Sequence, residues 1–142
     1  MRTEEEKLSL NAKSYLFDAG VLSLFYEGDP YVKPYFEKVS SPRANGYISE
    51  VNLAEFYYKA ASIKGMVTVD AWYRQIRQSH LTIISPDEKI TRRAGIWKLK
   101  RSDLSLADCF ALATTQEVAQ VLLTTDSALT KIKDVKAVLF RI

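Results

Sequence analysis

The sequence predicts an α/β domain in which helices cover both faces of a mostly parallel sheet. Short apolar runs that predict strands alternate along the chain with longer amphipathic stretches that predict helices, and this alternation is typical of parallel sheets. With 142 residues, the chain has the length of one domain and can bury a sizeable core. Apolar residues make up 47% of the chain and charged residues 26%, as expected for an ordinary globular protein.

Five short apolar segments predict the strands of this sheet. Aliphatic and aromatic side chains dominate them, and turn-forming or polar residues bound most of them. The five segments are residues 15–17, 46–48, 81–84, 121–124 and 136–140.

Apolar residues at helical spacing predict helices between these strands. Ser49, Thr68 and Ser105 each stand just before an amphipathic stretch, so we expect them to be N-caps. The predicted helices cover residues 21–26, 31–39, 50–64, 69–76, 85–99, 106–118 and 126–131.

The domain organisation follows from where these elements begin. Residues 1–14 are expected to form a polar N-terminal extension, and residues 15–142 a single domain. The extension carries Glu4, Glu5 and Glu6 and lacks both the apolar core of a signal peptide and the basic character of a transit peptide. No apolar run approaches the roughly 20 residues that span a bilayer. We therefore expect a cytoplasmic protein.

The cysteine and histidine counts exclude several kinds of site. Cys109 is the only cysteine, so the chain forms neither an internal disulfide nor a cysteine-rich zinc site. His80 is the only histidine, which argues against a triad or a metal cluster built on histidines. We expect His80 at the surface, just before the third strand.

Four carboxylates stand where they are expected to meet at one edge of the sheet. Asp18 and Asp126 each end an apolar strand segment, whereas Glu55 and Asp108 lie early in amphipathic helices. Sites in open parallel sheets lie beyond the carboxyl ends of the strands, so the four side chains are expected to converge. Each one taken singly is also explained as a helix cap or as a partly exposed helix residue.

A cluster of carboxylates favours a bound cation, because burying carboxylates without a partner is unfavourable. Oxygen ligands suit Mg²⁺ or Mn²⁺, and such ions support hydrolysis of phosphodiesters. We therefore predict that the four acids form one metal-binding and catalytic site. Thr124 and Thr125 are expected to orient Asp126 through their hydroxyl groups, although a role inside the strand explains Thr124 equally well.

The basic residues allow two interpretations. The net charge of +3 is mildly basic, and the surface outside a pocket of four acids is more basic than this total suggests. One interpretation of the local basic cluster is a solvated helix face, and the other is a surface that holds a phosphate backbone near the acidic site. The cluster consists of Arg92, Arg93, Lys98, Lys100 and Arg101.

Four segments of the chain resemble a known family. Residues 15–22 resemble the opening strand and first acid of PIN domains. Residues 48–57, 104–113 and 122–126 resemble the second, third and fourth acid motifs of that family, in the same order and at similar spacing. The match spans about residues 15–142. One departure is Ala19 and Gly20, where many members have Thr or Ser followed by Asn or Ser.

The resemblance implies a PIN-like three-layer α/β/α sandwich with a short five-stranded parallel sheet. It also implies RNA cleavage that depends on Mg²⁺ or Mn²⁺, with Asp18, Glu55, Asp108 and Asp126 as catalytic and metal-binding residues. Size and single-domain layout resemble the toxin ribonucleases of VapBC toxin–antitoxin pairs, which implies a homodimer and a small antitoxin partner. Two alternatives stay open: an RNA-processing nuclease outside such a pair, and a non-catalytic module that binds RNA or protein.

Overall fold

The computed structural model describes residues 9–142 and contains one sheet with helices packed on it. The strands are β1 (Ser14–Phe17), β2 (Asn45–Ser49), β3 (Thr82–Ile84), β4 (Val121–Thr124) and β5 (Ala137–Leu139). The helices are α1 (Ala19–Tyr26), α2 (Lys33–Ser40), α3 (Glu50–Lys64), α4 (Met66–Gln78), α5 (Glu88–Lys100) and α6 (Leu106–Val118). A 3₁₀ helix at Ser127–Lys131 precedes β5.

The sheet has the strand order β3-β2-β1-β4-β5, and every neighbouring pair is parallel. β1 lies at the centre, where Leu16 stands opposite Tyr47 of β2 and Leu122 of β4. Because all strands run the same way, their carboxyl ends meet at a single edge. The predicted short, five-stranded parallel sheet is confirmed.

The layers follow from the alternation of side chains along each strand. Tyr15 and Phe17 of β1 lie in a buried cluster with side chains of α1, α2, α3 and α4. Leu16 and Leu122 face the other way and lie in a second buried cluster with α5 and α6. Two apolar cores therefore enclose the sheet, and the predicted three-layer α/β/α sandwich is confirmed.

The start of α4 differs from the sequence prediction. Thr68 is not an N-cap, because α4 already begins at Met66. The chain instead turns between α3 and α4 at Gly65, whose φ of 87° is a left-handed value that residues with side chains rarely adopt. Ser49 and Ser105 are N-caps as predicted, since each hydroxyl accepts a hydrogen bond from a backbone N–H of its helix.

The residues before β1 pack on the domain as far as the structure describes them. The Tyr15 hydroxyl donates to the carbonyl of Ser9 at 2.6 Å, and the Lys38 ammonium donates to the carbonyl of Leu10. Residues 1–8, which include most of the predicted polar extension, lie outside the described residues, so the division at residue 14 stays a prediction. Within residues 9–142, no helix is both long and apolar enough to cross a membrane.

Candidate active site

The four predicted acids line one cavity of about 560 Å³ at the carboxyl edge of the sheet. Asp18 follows β1 directly, and Asp126 stands two residues after β4. Glu55 lies in the second turn of α3 and Asp108 in the first turn of α6. The structure therefore brings together all four carboxylates that the sequence singled out.

Asp18 is the most buried of these carboxylates, with 6% of its surface exposed. Its Oδ1 accepts a hydrogen bond from the backbone N–H of Val21 at 2.9 Å and so caps α1. Its Oδ2 accepts one from the Thr124 hydroxyl at 2.5 Å and one from the backbone N–H of Thr125 at 3.2 Å. Two carboxylate oxygens offer about four acceptor positions, so the protein fills three and leaves one for another partner.

Burial raises the pKa of Asp18 above its usual value. The hydrogen bonds from Thr124, Val21 and Thr125 lower the pKa but do not offset the burial, and the nearby Glu55 carboxylate raises it further. Asp18 is thus held in one orientation by neutral donors, while the charged form lacks a cationic partner among residues 9–142. A cation in the cavity would supply that partner.

Thr124 makes a contact that the sequence did not predict. Its buried hydroxyl donates to Asp18 rather than to the Asp126 carboxylate, and it accepts a hydrogen bond from the backbone N–H of Asp126 at 3.0 Å. The hydroxyl therefore links the ends of β1 and β4. The Asp126 side chain is oriented instead by the 3₁₀ helix, where Oδ1 accepts from the N–H of Ala128 at 2.9 Å.

The side chain of Thr125 occupies the space beside Gly20. A Cβ atom placed on Gly20 would stand 2.0 Å from the Thr125 Oγ1. Both residues line the acidic cavity. A hydroxyl at residue 125 therefore fills the position that a side chain at residue 20 would need, next to the first acid.

Asp108 and Asp126 form a carboxyl pair in the cavity. Burial, a hydrogen bond with Asp126 and the negative charges of Asp126 and Glu55 together raise the pKa of Asp108 to about 6, although a hydrogen bond with Ser105 lowers it. The raised pKa shows that the protein itself does not balance the negative charge of Asp108, and a divalent ion in the cavity would do so.

Lys59 is the cation that the cavity already contains. Its Nζ lies 3.3 Å from Glu55 Oε2, one helical turn away on α3. Partial burial lowers the pKa of Lys59, but Glu55, Tyr58 and Asp108 together outweigh this effect and the pKa is raised overall. Sequence reasoning missed Lys59, although its spacing of four residues from Glu55 on a predicted helix could have identified it.

Further cavity residues were also missed. Glu27, which ends α1, adds a fifth carboxylate, and no motif or capping signal in the sequence marked it. Tyr58, which stands beside Lys59 on α3, and Ile142 also line the cavity. Ser105, predicted only as a cap, also lines the cavity and bonds to Asp108.

Asn52 joins the two helices that carry Glu55 and Asp108. Its Nδ2 donates to the carbonyl of Ala107 on α6 at 3.1 Å, and only 1% of its surface is exposed. Its Oδ1 is buried and has no hydrogen-bond partner among the described residues. The side chain therefore fixes the first turn of α6, which carries Asp108, against α3, which carries Glu55.

The predicted basic cluster divides in the structure. Lys98 donates to the carbonyl of Ser102 at 2.9 Å, and Arg101 pairs with Asp103 at 2.8 Å, so both support the loop before α6. Arg92, Arg93 and Lys100 instead line a second cavity that shares no residue with the acidic one. None of the five basic residues lines the acidic cavity.

The chemistry of the cavity fits a hard divalent ion. Its ionisable ligands are carboxylates, and no cysteine or histidine lines it. In the part of the chain that the structure describes, no three acidic, histidine or cysteine side chains stand close enough together to hold an ion at once. An ion here would therefore bind one or two carboxylates directly and complete its shell with water, as Mg²⁺ usually does in proteins.

Comparison with known proteins identifies the family. A model of the PIN domain matches residues 15–135. The chain belongs to the PIN domain family. No curated protein sequence matches it significantly.

Solved structures with a similar PIN fold come from several bacteria. VapBC2 from Rickettsia felis, bound to a promoter DNA fragment, gives a TM-score of 0.71 at 17% identity over 89% of this chain and 98% of that chain. DNA-bound VapBC from Salmonella typhimurium gives a TM-score of 0.72 at 13% identity over 89% of this chain and 97% of that chain. VapC20 from Mycobacterium tuberculosis, a toxin that cleaves the Sarcin-Ricin loop, gives a TM-score of 0.64 at 16% identity over 85% of this chain and 98% of that chain. Identities this low support the shared fold.

Proposed function

We propose that this PIN domain protein is a Mg²⁺- or Mn²⁺-dependent ribonuclease and the toxin of a toxin–antitoxin pair. The observation that carries the proposal is the convergence of Asp18, Glu55, Asp108 and Asp126 in one cavity. A module that only binds RNA has no use for carboxylates that repel both one another and the phosphate backbone. A catalyst needs them to hold the ions that act on that backbone.

The residues of the cavity have different proposed roles in catalysis. A bound Mg²⁺ or Mn²⁺ would activate water and offset the charge of the phosphodiester under attack. Asp18 is held in place by three hydrogen bonds, so it needs little rearrangement to bind an ion. Asp108, whose pKa burial and the neighbouring acids raise to about 6, would bind an ion in competition with a proton. Lys59, which pairs with Glu55 in the cavity, would supply a positive charge for a phosphate oxygen of the RNA.

The toxin role is supported by the structural neighbours. They include VapBC complexes and a toxin named for cleaving the Sarcin-Ricin loop, and this chain covers 97–98% of those three neighbours' length. Exposed apolar side chains at the turn between α3 and α4, Ile63, Met66 and Val67, offer a surface for a protein partner such as an antitoxin or a second copy. RNA as substrate implies action in the cytoplasm.

The test is cleavage of a panel of structured RNAs by pure protein with Mn²⁺, with Mg²⁺ and with EDTA. Cleavage is expected only with a divalent ion, and Asp108→Asn is expected to abolish it. Asp103→Asn is the matched control, because Asp103 is an exposed acid in the loop just before α6 and pairs with Arg101. Metal-dependent cleavage by the Asp108→Asn protein would contradict the site assignment.

The partner is tested separately from the chemistry. Co-expression with the product of an adjacent small reading frame is expected to yield a stable complex that no longer cleaves RNA. If no adjacent reading frame encodes a protein that binds and inhibits the nuclease, an RNA-processing role would be favoured over a toxin. Light scattering of the free protein then tests the homodimer.

A further inference from the structure

A second cavity, of about 730 Å³, lies between α5, the end of α6 and the segment before β5. Gln120 and Lys136, which line it, stand directly before β4 and β5, so it opens at the amino edge of the sheet. The acidic cavity lies at the carboxyl edge. Gln116, also in the lining, is two turns of α6 beyond Asp108, roughly 12 Å along the helix axis.

This basic groove carries positive charge that the protein does not neutralise. Arg92, Lys100 and Lys136 line it, are exposed and have no ion-pair partner among residues 9–142. Arg93, also in the lining, shares the Glu117 carboxylate with Lys89. Asp134 is the one acid among the lining residues of the groove. Free cations on both walls of the groove attract a polyanion.

Trp97 gives the groove an aromatic surface between these cations. The indole N–H donates to Gln116 Oε1 at 2.9 Å, which fixes the ring against α6. The ring is only partly buried and lines the cavity. An oriented, accessible indole beside free cations is the arrangement with which proteins bind single-stranded nucleic acid, because bases stack on the ring while the cations hold phosphates.

We propose that the basic groove binds a single-stranded RNA segment at the amino edge of the sheet, away from the acidic cavity. As a deepening of the proposed nuclease function, the groove holds part of the same RNA whose scissile bond lies among the acids. Substrates long enough to reach both edges then bind more tightly than short ones. An acidic peptide would match the charges of the groove but would leave the fixed indole without a stacking partner.

The groove is tested by fluorescence anisotropy with a labelled, unstructured 20-nucleotide RNA in EDTA, so that no cleavage occurs. Changing Arg92, Lys100 and Lys136 together to Gln is expected to weaken binding and to reduce the slope of log affinity against log salt by about 2, since each lost phosphate contact removes about 0.7. Trp97→Leu is expected to weaken binding roughly tenfold without changing the slope. The matched control replaces Lys33, Lys64 and Arg74, which lie outside both cavities, by Gln.

The outcomes separate the groove from the nuclease. If a groove variant binds RNA with the affinity and salt slope of the control variant, the proposal that the groove binds RNA is overturned, even if the wild type cleaves RNA. Loss of RNA binding only in the groove variants supports the groove, even if no RNA is cleaved. If the groove variants lose binding to a labelled poly-glutamate peptide while their RNA binding is unchanged, the RNA proposal is overturned in favour of an acidic protein partner. Because the three basic residues are exposed and unpaired, the triple variant is expected to fold normally.

Discussion

Replacing Asp108 by asparagine is expected to make the metal-free protein more stable above about pH 6, although it removes a residue of the proposed active site. Burial and the neighbouring carboxyl groups of Asp126 and Glu55 raise the folded-state pKa from 3.8 to about 6. A carboxyl with a raised folded-state pKa stabilises the fold fully below its unfolded pKa, and that stability is lost as the pH rises through the folded pKa. Asparagine stays neutral throughout and avoids the loss.

The size of the effect follows from the shift. A rise from 3.8 to about 6 corresponds to roughly 3 kcal/mol for a group fully removed from water. Asp108 is only partly buried, so solvent screening reduces this to about 1 kcal/mol. In a chain of this length that amounts to roughly 3 °C in melting temperature. We expect the variant to melt about 3 °C above the wild type at pH 8 and at the same temperature near pH 4.

The assay is thermal unfolding followed by circular dichroism at pH 4, 6 and 8 in EDTA, and then with added Mn²⁺. The ion is expected to raise the melting temperature of the wild type and to leave Asp108→Asn unchanged, because a ligand that binds only the folded state stabilises it. Asp103→Asn serves as the control. Arg101 lowers the pKa of Asp103, so this variant gains no stability at pH 8 and keeps the wild-type response to Mn²⁺.

Two results would refute the reasoning. An Asp108→Asn protein that melts at the wild-type temperature at pH 8 in EDTA would show that the charged Asp108 carboxylate does not destabilise the fold. An undiminished response of this variant to Mn²⁺ would show that Asp108 does not bind the ion. The two readouts are independent, so either part of the assignment can fail alone.

Three more changes test how the acids are held. Thr124→Val removes the buried hydroxyl that bonds to Asp18, so the free energy of unfolding in urea is expected to fall by about 2 kcal/mol. Gly20→Ala forces the Thr125 side chain to move and is expected to lose about 1–2 kcal/mol, a loss that Thr125→Ala should largely restore in the double variant. Asn52→Ala removes the hydrogen bond between α3 and α6, so single-turnover RNA cleavage is expected to slow about tenfold with little change in RNA affinity.

Much of the acidic site could be predicted because the strands of a parallel sheet all end at the same edge. Once Asp18 and Asp126 are placed after strands of one parallel sheet, they must lie at the same edge, and helices that start at that edge bring Glu55 and Asp108 with them. The order of the strands was not predictable in this way. Hydrophobic patterning shows which faces are buried, but it does not show which strand lies beside which.

The contacts that sequence reasoning did not foresee share a physical origin. Thr124 bonds to Asp18, more than a hundred positions earlier in the chain, and such a contact exists only after β1 and β4 pair. The basic stretch around Arg92–Arg101 looks continuous in sequence, yet side chains on a helix point in all directions. Lys98 therefore bonds to loop carbonyls while Lys100 faces the far edge of the sheet. Proximity in sequence did not predict the direction that each charge faces.

The capping and catalytic interpretations of the acids turn out to be compatible. Asp18 and Asp126 each use one oxygen to accept an N–H at the start of a helix, which fixes the side chain. The positive end of a helix also favours the charged form of a carboxylate there, and this offsets part of the repulsion between the acids. Capping therefore lets the fold keep several carboxylates close together before any ion binds. A metal site built on helix starts is in this way prepared by the same hydrogen bonds that begin the helices.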